Sequence, residues 1–579
     1  MSSCAASCAS VRILTAITAS AALAAAQTTA RISVDSAGAQ ANSGSFEPAV
    51  SGNGRFVAFR SSASNLVAGD TNGVADIFVH DRSSGSIERV TVSSAGVQGN
   101  GTCTRAALST DGRFVAFSSS ASNLVAGDTN NFADVFVRDR QLGTTERASF
   151  APGAPQTNHN TEAPGISFDG RYVVFQSFAS NLVSFDTNNT SDVFVLDRQT
   201  GQLELVSRDT SGVPADQQSH SPAMTPDGRF VAFASAATNL VAGDTNAFSD
   251  VFVLDRQLGT TELASLSSGG AQGDNVSLGP SISADGRYVA FWSRAGFLVA
   301  NDTNGVDDVF LRDRIAGTTV RLSVDSGGLQ SNASSLGPVI SGDGRSVAFW
   351  SDATNLVAGD TNLKRDVFLR DVQAGTTERV SIDSASAQSN GVSQLPAISG
   401  DGRVVAFESV ATNLVAGDTN NASDVFARDR GLGGPTAYCT AGTTTHGCVP
   451  SIAGTGTPSA SASSGFVISV SSVEGLKQGI VFYGIDNLGF TPLAWGPSTS
   501  FLCVKTPTQR TAPQNSGGTL NGCDGTFALD WNAFRAANPS ALGAPFAPGQ
   551  HVYAQGWFRD PPSPKSTMLS DGLEFVVQP

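Results

Sequence analysis

A 58-residue period governs most of this chain. The tripeptide Gly-Arg-x followed by Val-x-Phe starts at Gly54, Gly112, Gly170, Gly228, Gly286, Gly344 and Gly402, without one insertion or deletion between copies. The fullest copies read Ser-x-Asp-Gly-Arg-x-Val-Ala-Phe, then Asn-Leu-Val-Ala-Gly-Asp-Thr-Asn, then Asp-Val-Phe-x-x-Asp-Arg, then Gly-Thr-Thr-Glu-Arg. A unit this small cannot bury an apolar face alone, so the copies must stack on one another.

Each unit reads as four short strands, a to d. In the second copy, strand a runs into Ser109 and the Asp111-Gly112 pair supplies a tight turn, because Asp and Gly tolerate positive φ. Strand b is Arg113 to Phe117, with Val115 and Phe117 on one side and Ala116 on the other. Strand c is Asp134 to Arg138, and strand d runs from Thr145 to Phe150 after a Gly turn. Four strands with one large and one small apolar face describe a propeller blade packed between neighbours. The expected fold is all-β: a seven-bladed propeller over residues 27–432. Ala30 to Asp35 matches strand d, while nothing after Arg428 does, so the N-terminal strand should complete the seventh blade and leave no open edge. The a–b and c–d connections are tight. The b–c and d–a connections each run about a dozen residues and emerge on one face, where a site is expected.

With its Ser-x-Asp-Gly-Arg turn and Phe-ending strand, the repeat resembles the TolB-like propeller repeat, a WD-type family. That resemblance implies the propeller fold; its members include envelope scaffolds, peptidase accessory domains and polysaccharide lyases. The unbroken Asp-Thr-Asn element departs from the usual TolB pattern.

Among 579 residues, 50 are acidic and 35 basic, for a formal charge of −15. That excludes a nucleic-acid backbone binder, which needs a basic footprint. Arg12 followed by the Ala-rich run Ile13 to Ala26 reads as a signal peptide over residues 1–26. The expected location is therefore secreted, periplasmic or cell-surface, with no transmembrane segment after cleavage and the protein a monomer. Of the five cysteines beyond that cut, four cluster after the propeller. Disulfides are expected between Cys439 and Cys448 and between Cys503 and Cys523, with Cys103 free.

Oxygen-bearing side chains recur in the b–c loops as Asp70/Asn72/Asp76, Asp128/Asn130/Asp134, Asp186/Asn188/Asp192, Asp244/Asn246/Asp250, Asp302/Asn304/Asp308 and Asp418/Asn420/Asp424. Hard oxygen donors at offsets 1, 3 and 7 suit structural Ca²⁺. The competing reading is an Asx-turn in which Asp and Asn cap loop amides and the last Asp pairs with an Arg. The copy at Asp360, Asn362 and Asp366 carries Lys364 and Arg365, which would repel a cation. Arg55 and its six equivalents face a repeated Asp and read as structural ion pairs. Trp292 and Trp350, at the end of strand b in the fifth and sixth copies, are candidate ligand-binding residues. They form either a sugar-stacking platform or inter-blade packing.

No Gly-x-Ser-x-Gly elbow, phosphate loop or His-Glu-x-x-His occurs, and the five His fall at unrelated places. From Gly433 the period stops. Strand-like runs at Gly465–Val473, Gly479–Ile485, Phe501–Lys505, Thr526–Trp531, Val552–Phe558 and Leu573–Val577 make residues 433–579 a β-sandwich. The expected function is an exported, non-catalytic binding or scaffold protein that recognises an extracellular protein or glycan. A propeller-based lyase or glycosidase and a purely structural envelope protein are its rivals.

Overall fold

A computed structural model describes residues 27–577 apart from 151–152, 154, 184–187, 432–435, 439–443, 445, 457, 486–492, 495–500, 547–549 and 561–566. The signal-peptide reading and the expected roles of Asp186 and Cys439 fall outside the described residues.

Seven four-stranded antiparallel sheets follow one another. In blade 1, strands a to d are Ser45–Val50, Phe56–Ser61, Asp76–Asp81 and Ile87–Arg89. Blade 7 takes its strands a to c from Ser393–Ile398, Val404–Ser409 and Asp424–Asp429. Its strand d is Thr28–Arg31, paired antiparallel with Thr28 opposite Asp429 and Arg31 opposite Phe426. The ring closes as the strand count requires, although this strand is shorter than expected.

The blades stack large face on small face. Val57 and Phe59 of blade 1 pack with Ala406, Val425 and Ala427 of blade 7, while Ala58 packs with Val115 and Phe117 of blade 2. A larger residue at Ala58 would overfill that seam. Within each blade the Phe of strand b stacks on the Phe of strand c, as Phe117 does on Phe136 at 5.8 Å.

At the tight-turn face, Arg55, Arg113, Arg171, Arg229, Arg287, Arg345 and Arg403 pair with the Asp that ends strand c, at 2.7–3.2 Å. The pairs are structural, as expected. The Arg55 hydrogen bond holds the Asp81 carboxyl well below the usual carboxylate range. A second arginine ties blade to blade: Arg140 Nε reaches Glu88 of the preceding blade at 2.6 Å, and its guanidinium lies 4.4 Å over the Phe56 ring.

The C-terminal unit is a sandwich. Ser451–Gly456, Phe466–Val473 and Gly525–Asp530 form one sheet. Thr436–Tyr438, Thr567–Val576, His551–Arg559, Gln478–Gly484 and Gln509–Arg510 form the main path of the other. Phe466, Ile468, Tyr483, Trp531, Phe558 and Phe575 fill the space between them.

Three expectations need correction. The run expected at Phe501–Lys505 is a strand only over Phe501–Leu502. The run ending at Trp531 stops at Asp530, whose carboxylate accepts from the Ala533 amide and caps a helix, Trp531–Ala537. Finally, Cys448 pairs with Cys523, with 5.3 Å between their Cα atoms. Cys503 is disulfide-bonded too, so neither Cys439–Cys448 nor Cys503–Cys523 forms. The expected pairs followed proximity in sequence, whereas the distance between Cα atoms in the folded chain decides. Cys103 is free and buried.

The sandwich meets the propeller at the tight-turn face of blade 6. His551 sits between Asp343 of that turn and Glu574, at 2.7 Å from each, and Arg345 reaches Glu574 at 2.5 Å.

Candidate functional site

The b–c loops come first, because their residues recur most strictly. In every blade the loop Asn donates its side-chain amide to the Asp four residues on. Asn72 reaches Asp76 at 2.9 Å, Asn130 reaches Asp134 at 3.3 Å and Asn188 reaches Asp192 at 3.0 Å. Asn246 to Asp250, Asn304 to Asp308 and Asn362 to Asp366 are each 2.9 Å, and Asn420 to Asp424 is 3.1 Å. The same amide groups also donate to the next d–a loop, as Asn188 does to the Ala215 carbonyl, Asn304 to that of Ser331 and Asn420 to that of Ala41. The Asn oxygens accept from the backbone amide two residues on, at Val74, Phe132, Thr190, Phe248, Val306, Lys364 and Ala422. That is an Asx-turn.

In this arrangement Asn72, Asn130, Asn188, Asn246, Asn304 and Asn420, the expected calcium ligands, follow the Asx-turn alternative. A ligand must turn its oxygen to the cation, whereas these six spend the oxygen on the turn and present N–H groups to the carboxylate. The last Asp of the loop is also engaged by hydroxyls that follow strand d. Asp134 accepts the Ser149 hydroxyl at 2.6 Å, Asp192 that of Ser207 at 2.7 Å, and Asp424 that of Ser33 at 2.6 Å. Asp308 accepts from both Ser323 and Ser331, Asp76 from Thr91, and Asp250 from Ser265.

In five blades an arginine of strand d lies between the two loop carboxylates. Arg147 stands 3.1 Å from Asp128 and 3.2 Å from Asp134. Arg31, Arg89, Arg321 and Arg379 do the same for Asp418/Asp424, Asp70/Asp76, Asp302/Asp308 and Asp360/Asp366. A guanidinium thus fills the space between the two loop carboxylates. Among the described residues, no three His, Cys, Asp or Glu side chains gather as metal ligands. Leu205 and Leu263 replace the arginine in blades 3 and 4. In blade 4, Gln272 donates to Asp244 at 2.9 Å. Burial, reinforced by the charge of Asp244 and opposed by hydrogen bonds from Ser265 and Asn246, pushes Asp250 up to about 6. Lys364 and Arg365 leave this pattern intact, because Arg365 turns to Asp352 at 3.1 Å and stacks 3.9 Å from the Trp350 ring centroid.

A different set of positions separates the blades from one another. Strand a is innermost, and the a strands of neighbouring blades touch around the axis. Each is bulged, and the bulged residue has positive φ in all seven blades: Glu47, Arg105, Ala163, Ser221, Gly279, Gly337 and Leu395. Five of these are not glycine, and left-handed backbone at such residues costs energy that recurs mainly at working sites. Bulges also re-aim side chains.

Beside each bulge, strand a faces strand b with a pair that changes from blade to blade. The pairs are Phe46–Arg60, Thr104–Ser118, Glu162–Gln176, His220–Ala234, Leu278–Trp292, Leu336–Trp350 and Gln394–Glu408. All lie at the end of the blade next to the long loops. Two of the pairs interact directly: Arg60 lies over the Phe46 ring at 5.2 Å, and Gln394 donates to Glu408 at 2.8 Å. The tryptophans need their glycines. A Cβ at Gly279 would fall 2.8 Å from Trp292 Nε1, and one at Gly337 would fall 2.7 Å from Trp350 Nε1.

The axial mouth therefore has two arcs. Blades 5 and 6 supply Leu278, Trp292, Leu336 and Trp350, and blade 7 adds an exposed Leu395 beside the polar pair Gln394–Glu408. Blades 1 to 4 supply polar groups, with Glu47 3.2 Å from Arg60. Glu47 also accepts from the Arg105 amide at 3.3 Å, and Gln176 accepts from the Ser221 amide at 2.9 Å. A cavity of about 450 Å³ opens there beside Arg105, Glu162, Gln176, Phe178 and His220. Burial lowers the His220 pKa, which favours its neutral form. Sequence reading singled out Trp292 and Trp350 alone; the signal it missed was the joint change of three positions in an otherwise regular repeat.

The chain resembles solved TolB-like propellers. It is similar to TolB from Acinetobacter baumannii, at 14% identity over 61% of this chain and 76% of that one, with a TM-score of 0.31. It is similar to the oligogalacturonate lyase of Vibrio parahaemolyticus, at 11% identity over 70% and 90%, TM-score 0.40. It is also similar to the acylaminoacyl peptidase of Pyrococcus horikoshii, at 10% identity over 75% and 59%, TM-score 0.41. No protein-family model and no curated protein matches the chain. The fold assignment rests on the seven sheets themselves.

Proposed function

We propose that this is an exported, non-catalytic binding protein that grips an extracellular protein segment at the axial mouth of its long-loop face. One observation carries the reading. Blades that share their strand and turn motifs differ from one another where strands a and b meet around the axis. A purely structural ring gains nothing from six different pairs in seven blades, whereas a binding site can use them. Trp and Arg beside a polar rim are the side chains that dominate protein interfaces. A sugar platform is the weaker form of the proposal. Arg365 stacks on the Trp350 ring and Gly337 lies against its indole nitrogen, which leaves less free ring face. The Cys448–Cys523 bridge suits an oxidising compartment, in line with export.

The test is a protein and glycan array probed with the mature chain and with Trp292→Ala and Arg105→Glu. Loss of the captured protein ligand in both variants, at unchanged melting temperature, supports the proposal. Binding that both variants retain removes the axial mouth from consideration. Turnover of an arrayed polysaccharide would favour the lyase reading instead.

A further inference from the structure

The sandwich carries a second apolar face. Along Gln478–Gly484, Val481 and Tyr483 point into the core between the sheets, so Ile480 and Phe482 point the other way. Ile480 stands opposite Trp557, and Trp557 opposite Leu569, which makes one apolar row across three paired strands. A sheet face turned to water normally carries polar side chains. Here the segment from Leu502 to Thr508 lies over the row and encloses a cavity of about 430 Å³, with Phe482, Val504, Trp557 and Leu569 among its walls. That volume falls in the range of small-molecule sites.

The cover is held in place. The Cys503 amide donates to Gln555 Oε1 at 3.0 Å, the Gln555 amide donates to the Ser570 carbonyl at 2.7 Å, and Cys503 is disulfide-bonded. Such a site needs little reorganisation to fill. Its polar groups are few: the hydroxyls of Thr506, Thr508 and Thr567, and one charge, Arg510. Arg510 stands directly opposite Phe482, so the two side chains share the outer face. It is exposed, and among the described residues no carboxylate lies within ion-pair distance of it, in a chain with a net charge of −15.

We propose that this cavity binds a small amphiphile, an apolar body bearing a single carboxylate, with the body against Trp557 and Phe482 and the carboxylate on Arg510. The apolar row excludes strongly polar ligands. A guanidinium with no carboxylate beside it among the described residues prefers an anion to a neutral or cationic head.

The probe is decanoate, titrated calorimetrically into the full mature chain below its micelle concentration, with decanol as the uncharged control. Saturable one-to-one binding is expected for decanoate, with decanol weaker by at least about tenfold. Arg510→Gln, at an exposed position, should weaken decanoate by a similar factor and leave decanol unchanged. Trp557→Leu should weaken both, and melting curves verify that each variant is folded. No saturable heat, or equal decanoate affinity in wild type and Arg510→Gln, overturns the proposal. Flotation with anionic vesicles in the absence of monomer binding also overturns it.

Discussion

The junction between propeller and sandwich should open in mild alkali. His551 is enclosed by Asp343 from the blade 6 turn and by Glu574 from its own sheet, with Arg345 and Asp371 next to them. Burial alone would lower its pKa, but hydrogen bonds to the two carboxylates and their charges overcome burial and raise it from 6.5 to about 9. That shift corresponds to about 3 kcal/mol favouring the docked, protonated state. Because the folded pKa lies above the unfolded one, this stabilisation is complete below about pH 6.5. It fades as pH rises and is gone above about 9. Asp343 and Glu574 are shifted down: burial opposes ionisation, and the hydrogen bond to His551 with the neighbouring positive charge outweighs it. Their contribution is therefore lost in acid. Scanning calorimetry at pH 6 and 9.5, with scattering to follow the radius of gyration, should show the sandwich transition falling and the particle expanding only at the higher pH. His551→Gln should start from the weakened state and respond much less to pH. A wild type and a His551→Gln variant with the same pH dependence would refute the reasoning.

Other outcomes follow from the same geometry. Deleting residues 28–35 removes strand d of blade 7 and exposes the edge of Asp424–Asp429, so aggregation or a broad, early melt is expected; an unchanged melt would sink the closure. Calcium at millimolar concentration should leave the five arginine-filled loops untouched. Any chelator-reversible rise in melting temperature should disappear in Asp250→Asn and survive in Asp128→Asn. Arg147→Met leaves Asp128 and Asp134 without their shared cation and should cost about 3–5 kcal/mol in a denaturant titration. Non-reducing peptide mapping should give Cys448–Cys523. Native-state alkylation should spare Cys103, whose thiol burial pushes up to about 12.

The propeller was legible because its determinants are local and repeated seven times. A Gly turn, a Val-x-Phe strand and a conspicuous period leave few other ways to bury the Phe pairs. The sandwich was harder. Ser451–Gly456 has two glycines and little apolar character, and it becomes a strand only through its partner Phe466–Val473. Trp531 looks like the end of a strand until Asp530 caps the helix that follows. The Cys448–Cys523 bridge spans 75 residues, and no local pattern announces it. In the b–c loops, both the Asx-turn and the calcium reading predict the same Asp and Asn. They differ in which way Asn130 and its equivalents turn and in what the third partner is. Strand d supplies that partner in five blades: Arg147 and three equivalents stand 13 to 19 residues downstream of the two carboxylates, and in blade 7 Arg31 comes from the other end of the propeller sequence.

The axial residues are legible only by comparing copies of the repeat with one another. Trp292 alone is a large apolar residue that packs against the cluster around Tyr288. Its meaning changes once Gly279 and Leu278 are seen to change with it. A glycine that a Cβ would drive into the indole shows that the ring's position depends on its neighbour, so the three residues act as a unit. Glu408 shows the same dependence in a polar setting, with Gln394 as donor on one side and the Glu47 amide as donor from the next blade on the other. Blades 5 and 6 thus share one set, Leu-Gly-Trp, and the other five each present their own on the same bulged scaffold. The sandwich docks at the opposite, tight-turn end of blade 6, through Asp343 and Arg345. Attachment thus lies at one face of the ring and blade-to-blade variation at the other, and this is the arrangement on which the proposed binding role rests.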